Sequence, residues 1–220
     1  MGFDFCAGRG GKYPCAFLKG WAGTLVVDAY AGYDAALALD GRSIAYCLAR
    51  RKFDELVKAN ASVVAARAIQ RIARLYRIEA DAKALTAGQR LQMRQDQSGP
   101  LWEEMHVWLK LERIRVPDGS AIAKAIDHSL NHWVGLGRYL LDGDVPIDNN
   151  YVENRIRPWA LGRRNWLFIG SQLAGERAAV VMSLQSAKLN GHEPWAYLKD
   201  VLTRLPTQLN SRIKELLPHK

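Results

Sequence analysis

Cysteine is scarce in this 220-residue chain, which has only Cys6, Cys15 and Cys47 and no pair in CxxC spacing. An odd number of cysteines without that spacing argues against a disulfide framework and against a zinc site built from such pairs. No N-terminal stretch has the composition of a secretory signal peptide. We therefore expect a protein of the reducing cytoplasm.

Long hydrophobic runs are also absent. The most apolar windows, such as residues 178–184, are far shorter than the roughly 20 residues that a membrane-spanning helix needs. Hydrophobic residues nevertheless make up 49% of the chain, which is enough to bury a sizeable core. We expect one globular domain, or one domain with a large insertion, and no membrane as a partner.

Acidic residues are outnumbered, with 22 Asp and Glu against 31 Lys and Arg, and the formal net charge is +9. Such a positive field favours polyanions such as nucleic acid, although a solvated basic surface is the alternative. The Gly-rich segment GRGGK at residues 8–12 lacks the G-x-x-x-x-G-K-[ST] form. The pattern excludes a nucleotide P-loop and predicts a loop or tight hairpin connection across residues 8–14.

Strand and helix patterns alternate in the first 53 residues. An apolar, β-branched run over residues 24–27 ends at Asp28, AYAGYDAALAL suits a helix, and residues 43–47 suit a second strand. This order predicts an α/β organisation. Residues 54–143 then carry only helical patterns, with helices expected over residues 61–84, 99–115 and 119–141. After a turn at residues 142–146, helices are expected over residues 174–190 and 194–205.

Two acids are candidates for metal chemistry. Asp28 follows an apolar strand, where a carboxylate is exposed on a rigid backbone, although capping of the next helix is the alternative. Glu153 lies in DNNYVENRIRP, one helical turn from Asn149 and Asn150, in a helix that Asp148 or Asn149 would cap. A surface ion pair with arginine is the alternative for Glu153. Together the two carboxylates predict a site for Mg²⁺ or Mn²⁺.

Basic residues surround these acids in the sequence. Guanidinium groups grip phosphates, and aromatic rings stack on unpaired bases, so this composition favours DNA binding. Trp166 as a core residue of a small hairpin is the alternative. His128 and His132 are spaced four apart but have no third ligand in a recognised pattern, so structural or surface roles are expected. The predicted DNA-binding residues are Asn149, Asn150, Arg155, Arg157, Arg163, Arg164 and Trp166, with Arg50, Arg51 and Lys52 in the earlier basic segment.

The chain resembles transposases of the insertion sequence 66 family. The segments that carry the resemblance run almost from end to end: FDFCAGRGGKYPCAFLKGW, GTLVVDAYAGY, RRKFDEL, PIDNNYVENRIRPWALGRRNWLF and SAKLNGHEPWAYLKDVLTRLP. The resemblance implies a ribonuclease H-like core whose three acids bind divalent metal for DNA strand cleavage and transfer. Asp28 would be the second acid and Glu153 the third.

The same resemblance implies an organisation and a set of partners. Residues 1–53 would form a partial ribonuclease H-like core, 54–143 an all-helical insertion, 144–191 the segment with the catalytic Glu, and 192–220 a helical tail. The partner would be double-stranded DNA, both element ends and target, in the bacterial cytoplasm and at the nucleoid. Homo-oligomerisation and accessory transposition proteins stay open.

Two departures from the family pattern leave alternatives. The family's first aspartate belongs to a strand upstream of the segment where this chain begins, and Asp4 does not fit that position. The family usually has a His shortly after the residue matching Cys47, and here that His is missing. A catalytically inactive remnant that still binds DNA therefore stays open, as does a helical protein-interaction module.

Overall fold

The structure is a computed structural model that describes residues 6, 8, 10–28, 31–33, 42–46, 50–59, 62–155, 157, 171–175 and 184–218. The chain divides into two compact units. One comprises residues 14–150, and the other comprises residues 1–13 with 151–220. Both strands and most of the described helices lie within residues 14–150.

The first helix, α1, spans Lys12–Phe17. Pro14 lies in its first turn, where a missing backbone N–H costs little because that turn has no intrahelical acceptor for it. The amide of Leu18 continues the pattern by donating to the Pro14 carbonyl at 3.0 Å. The prediction of a loop or hairpin connection is therefore wrong for residues 12–14.

Two short strands, β1 (Gly23–Val27) and β2 (Arg42–Tyr46), pair in parallel. Parallel neighbours need a crossover connection, which the intervening chain supplies. The predicted helix in AYAGYDAALAL falls mostly outside the described residues, apart from a 3-10 turn at Ala31–Tyr33. Both predicted strands are confirmed, and the parallel pair is consistent with the α/β class, although the described residues are mostly helical.

The rest of this unit is helical. The predicted helix at residues 99–115 is confirmed, as is the one at residues 61–84, which ends in a 3-10 turn. The predicted helix over residues 119–141 is interrupted at His132, whose φ of −105° and ψ of 13° leave the helical region. In order, the helices are α2 (Arg50–Lys58), α3 (Val63–Asp81), α4 (Ala87–Met93), α5 (Gly99–Arg115), α6 (Ala121–Asn131) and α7 (Trp133–Leu136), followed by a 3-10 turn at Arg138–Leu141.

Polar side chains set where several helices begin. Ser62 accepts a hydrogen bond from the amide of Ala65 at the start of α3. Thr86 and Gln89 form a reciprocal capping box at the start of α4. Each arrangement satisfies backbone donors that the first helical turn leaves without partners, which stabilises a helix by about 1 kcal/mol.

A π-helical segment, Arg94–Ser98, joins α4 to α5. Such a segment inserts an extra residue into a helix and rotates the side chains around it. Here Arg94 and Ser98 are both buried, at 2% and 0% exposure. The insertion therefore turns a charged side chain into the protein interior.

The core of this unit joins the sheet to the helices. Phe53 of the RRKF segment is fully buried with Ile72, Leu109 and Ile126. Burying each such side chain contributes about 1.5 to 3 kcal/mol. The phenylalanine thus anchors α2 while its basic neighbours stay at the surface.

The second unit contains a C-terminal helical element. Helix α8 spans Leu184–Leu189, and Gly191 follows it with a φ of +80°. This conformation permits the amide of His192 to donate to the Ala187 carbonyl at 3.0 Å. Helix α9 (Pro194–Arg204) follows, with 3-10 turns at Leu205–Thr207 and Asn210–Leu216.

The sequence predicts both of these helices. The one at residues 194–205 is confirmed, and the one at residues 174–190 is helical wherever it is described. No helix in the described part of the chain is long and apolar enough to cross a membrane.

Candidate functional site

Asp28 lies at the carboxyl end of the parallel sheet. It follows Val27, which is 6% exposed and pairs with Tyr46 in β2. Its own side chain is exposed, and within the described part of the chain its carboxylate has no ion pair or hydrogen bond. Pairing of the buried Val27 with β2 therefore fixes the backbone next to Asp28 while leaving the carboxylate oxygens exposed.

Glu153 lies in a helical stretch at residues 150–155, as the sequence predicts. Asp148 precedes this stretch, and its side chain accepts hydrogen bonds from both the backbone and the side-chain nitrogen of Asn150. Asp148 thus forms the turn that starts the helix. Glu153 is exposed, and among the described residues its carboxylate has no ion-pair partner.

The turn before this helix is held by the buried Arg94. Its Nε and one terminal nitrogen donate to the two carboxylate oxygens of Glu79 at 2.8 and 2.7 Å. Its other terminal nitrogen donates to three backbone carbonyls at 2.8 to 2.9 Å, those of Tyr139, Asp142 and Val145. One side chain therefore satisfies backbone acceptors on both sides of the turn.

Close packing supports the same turn. Gly143 is buried, and a Cβ at this position would overlap the backbone carbonyl of Ala87. Val145 and Ile147 are 5% and 7% exposed and belong to the core. These buried residues therefore fix the backbone that leads to Asp148.

The predicted DNA-binding residues have different surroundings. Arg51 is paired with Glu55 at 3.0 Å, and the guanidinium of Arg50 lies 6.0 Å from the ring of Tyr76. Lys52 is exposed and makes no ion pair within the described ranges. Among the described residues, Lys52 is therefore a positive charge on α2 without an ion-pair partner.

Next to Glu153, Arg155 stacks on the ring of Tyr151 at 5.0 Å, and Arg157 is exposed. Asn149 is half-buried, and Asn150 contributes to the Asp148 turn. The predicted contacts Arg163, Arg164 and Trp166 lie outside the described residues.

His128 and His132 pack against one another, with ring centroids 4.6 Å apart. His132 donates from Nδ1 to the carbonyl of His128 at 2.8 Å, and its ring meets Tyr46 edge-on at 4.8 Å. Burial, followed by the nearby charges of Lys52 and His132, lowers the pKa of His128 to about 4. In the described ranges no group of three or more His, Cys, Asp or Glu side chains is placed to hold a metal ion.

Two features of this region could not be predicted from the sequence. The first is the buried Arg94 and Glu79 pair, because these residues are 15 positions apart and lie in ordinary helical patterns. The second is a pocket beside β2 that Tyr46, His132 and Arg138 line. Only the fold brings either set of residues together.

Two family models match this chain and together cover nearly its whole length. The model described as Transposase IS66 family matches residues 1–177, and the model described as IS66 C-terminal element matches residues 184–219. The chain belongs to the IS66 transposase family. The second match corresponds closely to the helical element formed by α8, α9 and the turns that follow.

Relatives from Sinorhizobium fredii cover nearly the whole chain. The protein y4hP is 38% identical over 96% of this chain, y4jD is 36% identical over 99%, and y4qI is 34% identical over 99%. These matches cover 42%, 45% and 42% of the relatives, so the chain spans less than half of their length. No solved structure matches this chain.

Proposed function

We propose that this chain is the C-terminal catalytic part of a DNA transposase, and that Asp28 and Glu153 are two of its three metal-binding acids. The observation that carries the proposal is that both carboxylates are exposed and make no ion pair within the described residues, and that Asp28 directly follows the buried Val27 at the end of β1. Membership of the IS66 transposase family supports the same reading. The remaining acid, the first of the family's three, would come from a segment outside this chain, in keeping with the greater length of its relatives.

The donor chemistry suits Mg²⁺ or Mn²⁺. These ions bind through a few carboxylate oxygens together with substrate phosphates, and an exposed carboxylate can accept an ion without losing an existing partner. When bound, such ions would supply the Lewis acidity that an in-line displacement at a phosphodiester requires. Asp28 and Glu153 would hold the ions, and the basic residues would bind the DNA backbone.

The fold and partners belong to the same proposal. The parallel pair β1 and β2 would be part of a ribonuclease H-like core covering residues 1–53 and 144–191, with residues 54–143 as the insertion and 192–220 as the tail. Element ends and target DNA would be the substrates. The residues that would contact this DNA are the predicted DNA-binding ones: Arg50, Arg51, Lys52, Asn149, Asn150, Arg155, Arg157, Arg163, Arg164 and Trp166.

A strand-transfer assay tests the proposal with matched acids. The chain, extended at its N terminus by a segment that would carry the remaining acid, should cut and join element-end DNA only when Mg²⁺ or Mn²⁺ is present. Asp28→Asn and Glu153→Gln should each reduce joining by at least about 100-fold, because each removes a metal ligand. Asp81→Asn and Glu103→Gln, which change exposed acids on α3 and α5, serve as controls.

Two results would count against the proposal. Joining that survives Asp28→Asn and Glu153→Gln would remove these acids from the site. Salt-dependent DNA binding without metal-dependent cleavage by the extended chain would instead favour an inactive remnant.

A further inference from the structure

An open pocket of about 460 Å³ lies beside β2 in the unit of residues 14–150. Tyr46 forms part of its wall, and Asn131, His132 and Arg138 bring polar groups to it. Among the described residues, no acidic side chain lines the pocket. Its chemistry therefore favours an anion with some flat or apolar surface.

Two polar side chains of this pocket, Arg138 and Asn131, have no partner for their nitrogen groups among the described residues. Arg138 is half-buried, and among the described residues it makes no ion pair or hydrogen bond through its guanidinium group. The side-chain amide of Asn131, which is exposed, also makes no hydrogen bond within the described ranges. A half-buried guanidinium without a counter-ion gains strongly from a phosphate, which it contacts through charge-assisted hydrogen bonds.

The surroundings add to the positive field. Lys52 is exposed and near enough to His128 for its charge to help lower the pKa of that imidazole, together with burial and His132. A neutral His128 removes one positive charge but leaves those of Lys52 and Arg138. The residues on this side of the unit are therefore suited to a polyanion rather than to a single small acid.

The pocket also lies near Asp28. Tyr46, on its wall, pairs with Val27, and Asp28 is the next residue along β1. Neighbouring strands are about 5 Å apart, so a DNA backbone seated in the pocket would pass the carboxyl end of the sheet.

We propose that this pocket binds a phosphate of duplex DNA, with Arg138 as the charged contact and Asn131 as a neutral donor. The proposal extends the proposed function, since it names a contact of the DNA on which that site would act. It assigns a DNA-binding role to residues at the end of α6 and beyond it, whereas the sequence patterns favour the segments around Lys52 and Glu153.

Val134, at the pocket, offers a matched pair of variants because its side chain is 83% exposed. Val134→Glu and Val134→Gln have nearly the same size and differ in charge, and neither buries a polar group. Binding of a labelled element-end duplex to the 220-residue chain is measured by fluorescence anisotropy in EDTA. Val134→Glu should raise the Kd about tenfold over Val134→Gln, because it places a negative charge beside the phosphate.

Arg138→Gln provides a second test, with the exposed Arg77→Gln of α3 as its control. Arg138→Gln should raise the Kd three- to tenfold, and the slope of log K against log salt should fall by about one. Arg77→Gln should change the Kd less than twofold. Thermal unfolding of each variant establishes that it is folded.

The outcomes separate this inference from the proposed function. If Val134→Glu and Arg138→Gln bind the duplex as their controls do, or if the unaltered chain does not bind it, the pocket assignment is overturned. In that case a loss of joining in Asp28→Asn would still support the catalytic proposal. Conversely, the expected binding losses combined with full joining by Asp28→Asn would uphold the pocket and overturn the catalytic proposal.

Discussion

Replacing Arg94 by methionine removes the side chain that holds the turn at residues 142–147. Arg94 is 2% exposed and its partner Glu79 has a side chain that is 13% exposed, so the pair is buried together. Methionine would fill much of the space but would leave the Glu79 carboxylate without its counter-ion and three carbonyls without their donor. Breaking such a pair from one side costs about 3 to 5 kcal/mol, a large part of the 5 to 15 kcal/mol that stabilises a typical domain.

Urea unfolding followed by circular dichroism measures this loss, and hydrogen exchange locates it. The amide of Val145 donates to the Asp142 carbonyl at 3.3 Å, and its exchange should accelerate more than that of amides in α3. Glu79→Gln retains a hydrogen-bonding group and should cost less than Arg94→Met. The double variant with methionine at both positions should recover part of the loss, since no charge is then buried alone.

A particular result would refute this account of the turn. If Arg94→Met unfolds within about 1 kcal/mol of the unaltered chain, with the same exchange rate at Val145, the buried pair does not hold the turn. The additivity of the two single variants provides an independent check. Purely additive losses would show that Arg94 and Glu79 act separately.

Two further predictions concern pH and close packing. His128 stays neutral in the fold down to about pH 4, whereas an ordinary histidine gains a proton near pH 6.5, so the unfolded state binds more protons between these values. Stability in urea should therefore fall as the pH drops from about 6.5 to about 4. The loss should be about 1 to 2 kcal/mol, because solvent screens this partly exposed ring. His128→Gln should lessen the dependence of stability on pH, and an equal dependence in that variant would contradict the assignment. Gly143→Ala should cost about 1 to 3 kcal/mol, because its Cβ would lie 2.7 Å from the carbonyl carbon of Ala87. Gly88→Ala in α4, where open space surrounds the glycine, should gain about 0.5 kcal/mol in the same measurement. A tolerated Gly143→Ala would mean that the turn can move away from Ala87.

Local patterns were sufficient for the elements that depend on local physics. The β-branched run before Asp28 predicted β1, and the spacing of apolar residues predicted α3 and α5, because strand and helix periods are written along the chain. The break at His132 and the π-helical segment at Arg94 were not predicted. Both depend on which side chains meet across the folded unit, where the ring of Tyr46 meets His132 and Arg94 reaches carbonyls about 45 to 51 residues away.

The candidate site follows the same division. A carboxylate after a strand and a carboxylate in NNYVEN were visible in the sequence, so Asp28 and Glu153 could be named without coordinates. Their roles as metal ligands stay a prediction. Arg138 could not have been named, because a single arginine in a helical segment carries no signal until the fold places it beside Tyr46 with no partner among the described residues.

The charged residues of the described chain fall into two physical groups, and the difference bears on function. Arg94, Asp148 and Arg51 each have partners that the fold supplies, so their interactions are already made before any ligand arrives. Asp28 and Arg138 have none within the described residues, although the residues next to them in the chain, Val27 and Tyr139, are buried. Holding a charge on a rigid backbone without a partner gains nothing for folding, but it avoids the cost of breaking an existing pair when an ion or a phosphate binds. By this reasoning the unpaired charges beside β1 and β2, rather than the most charged segments of the sequence, are where metal and DNA should first be sought.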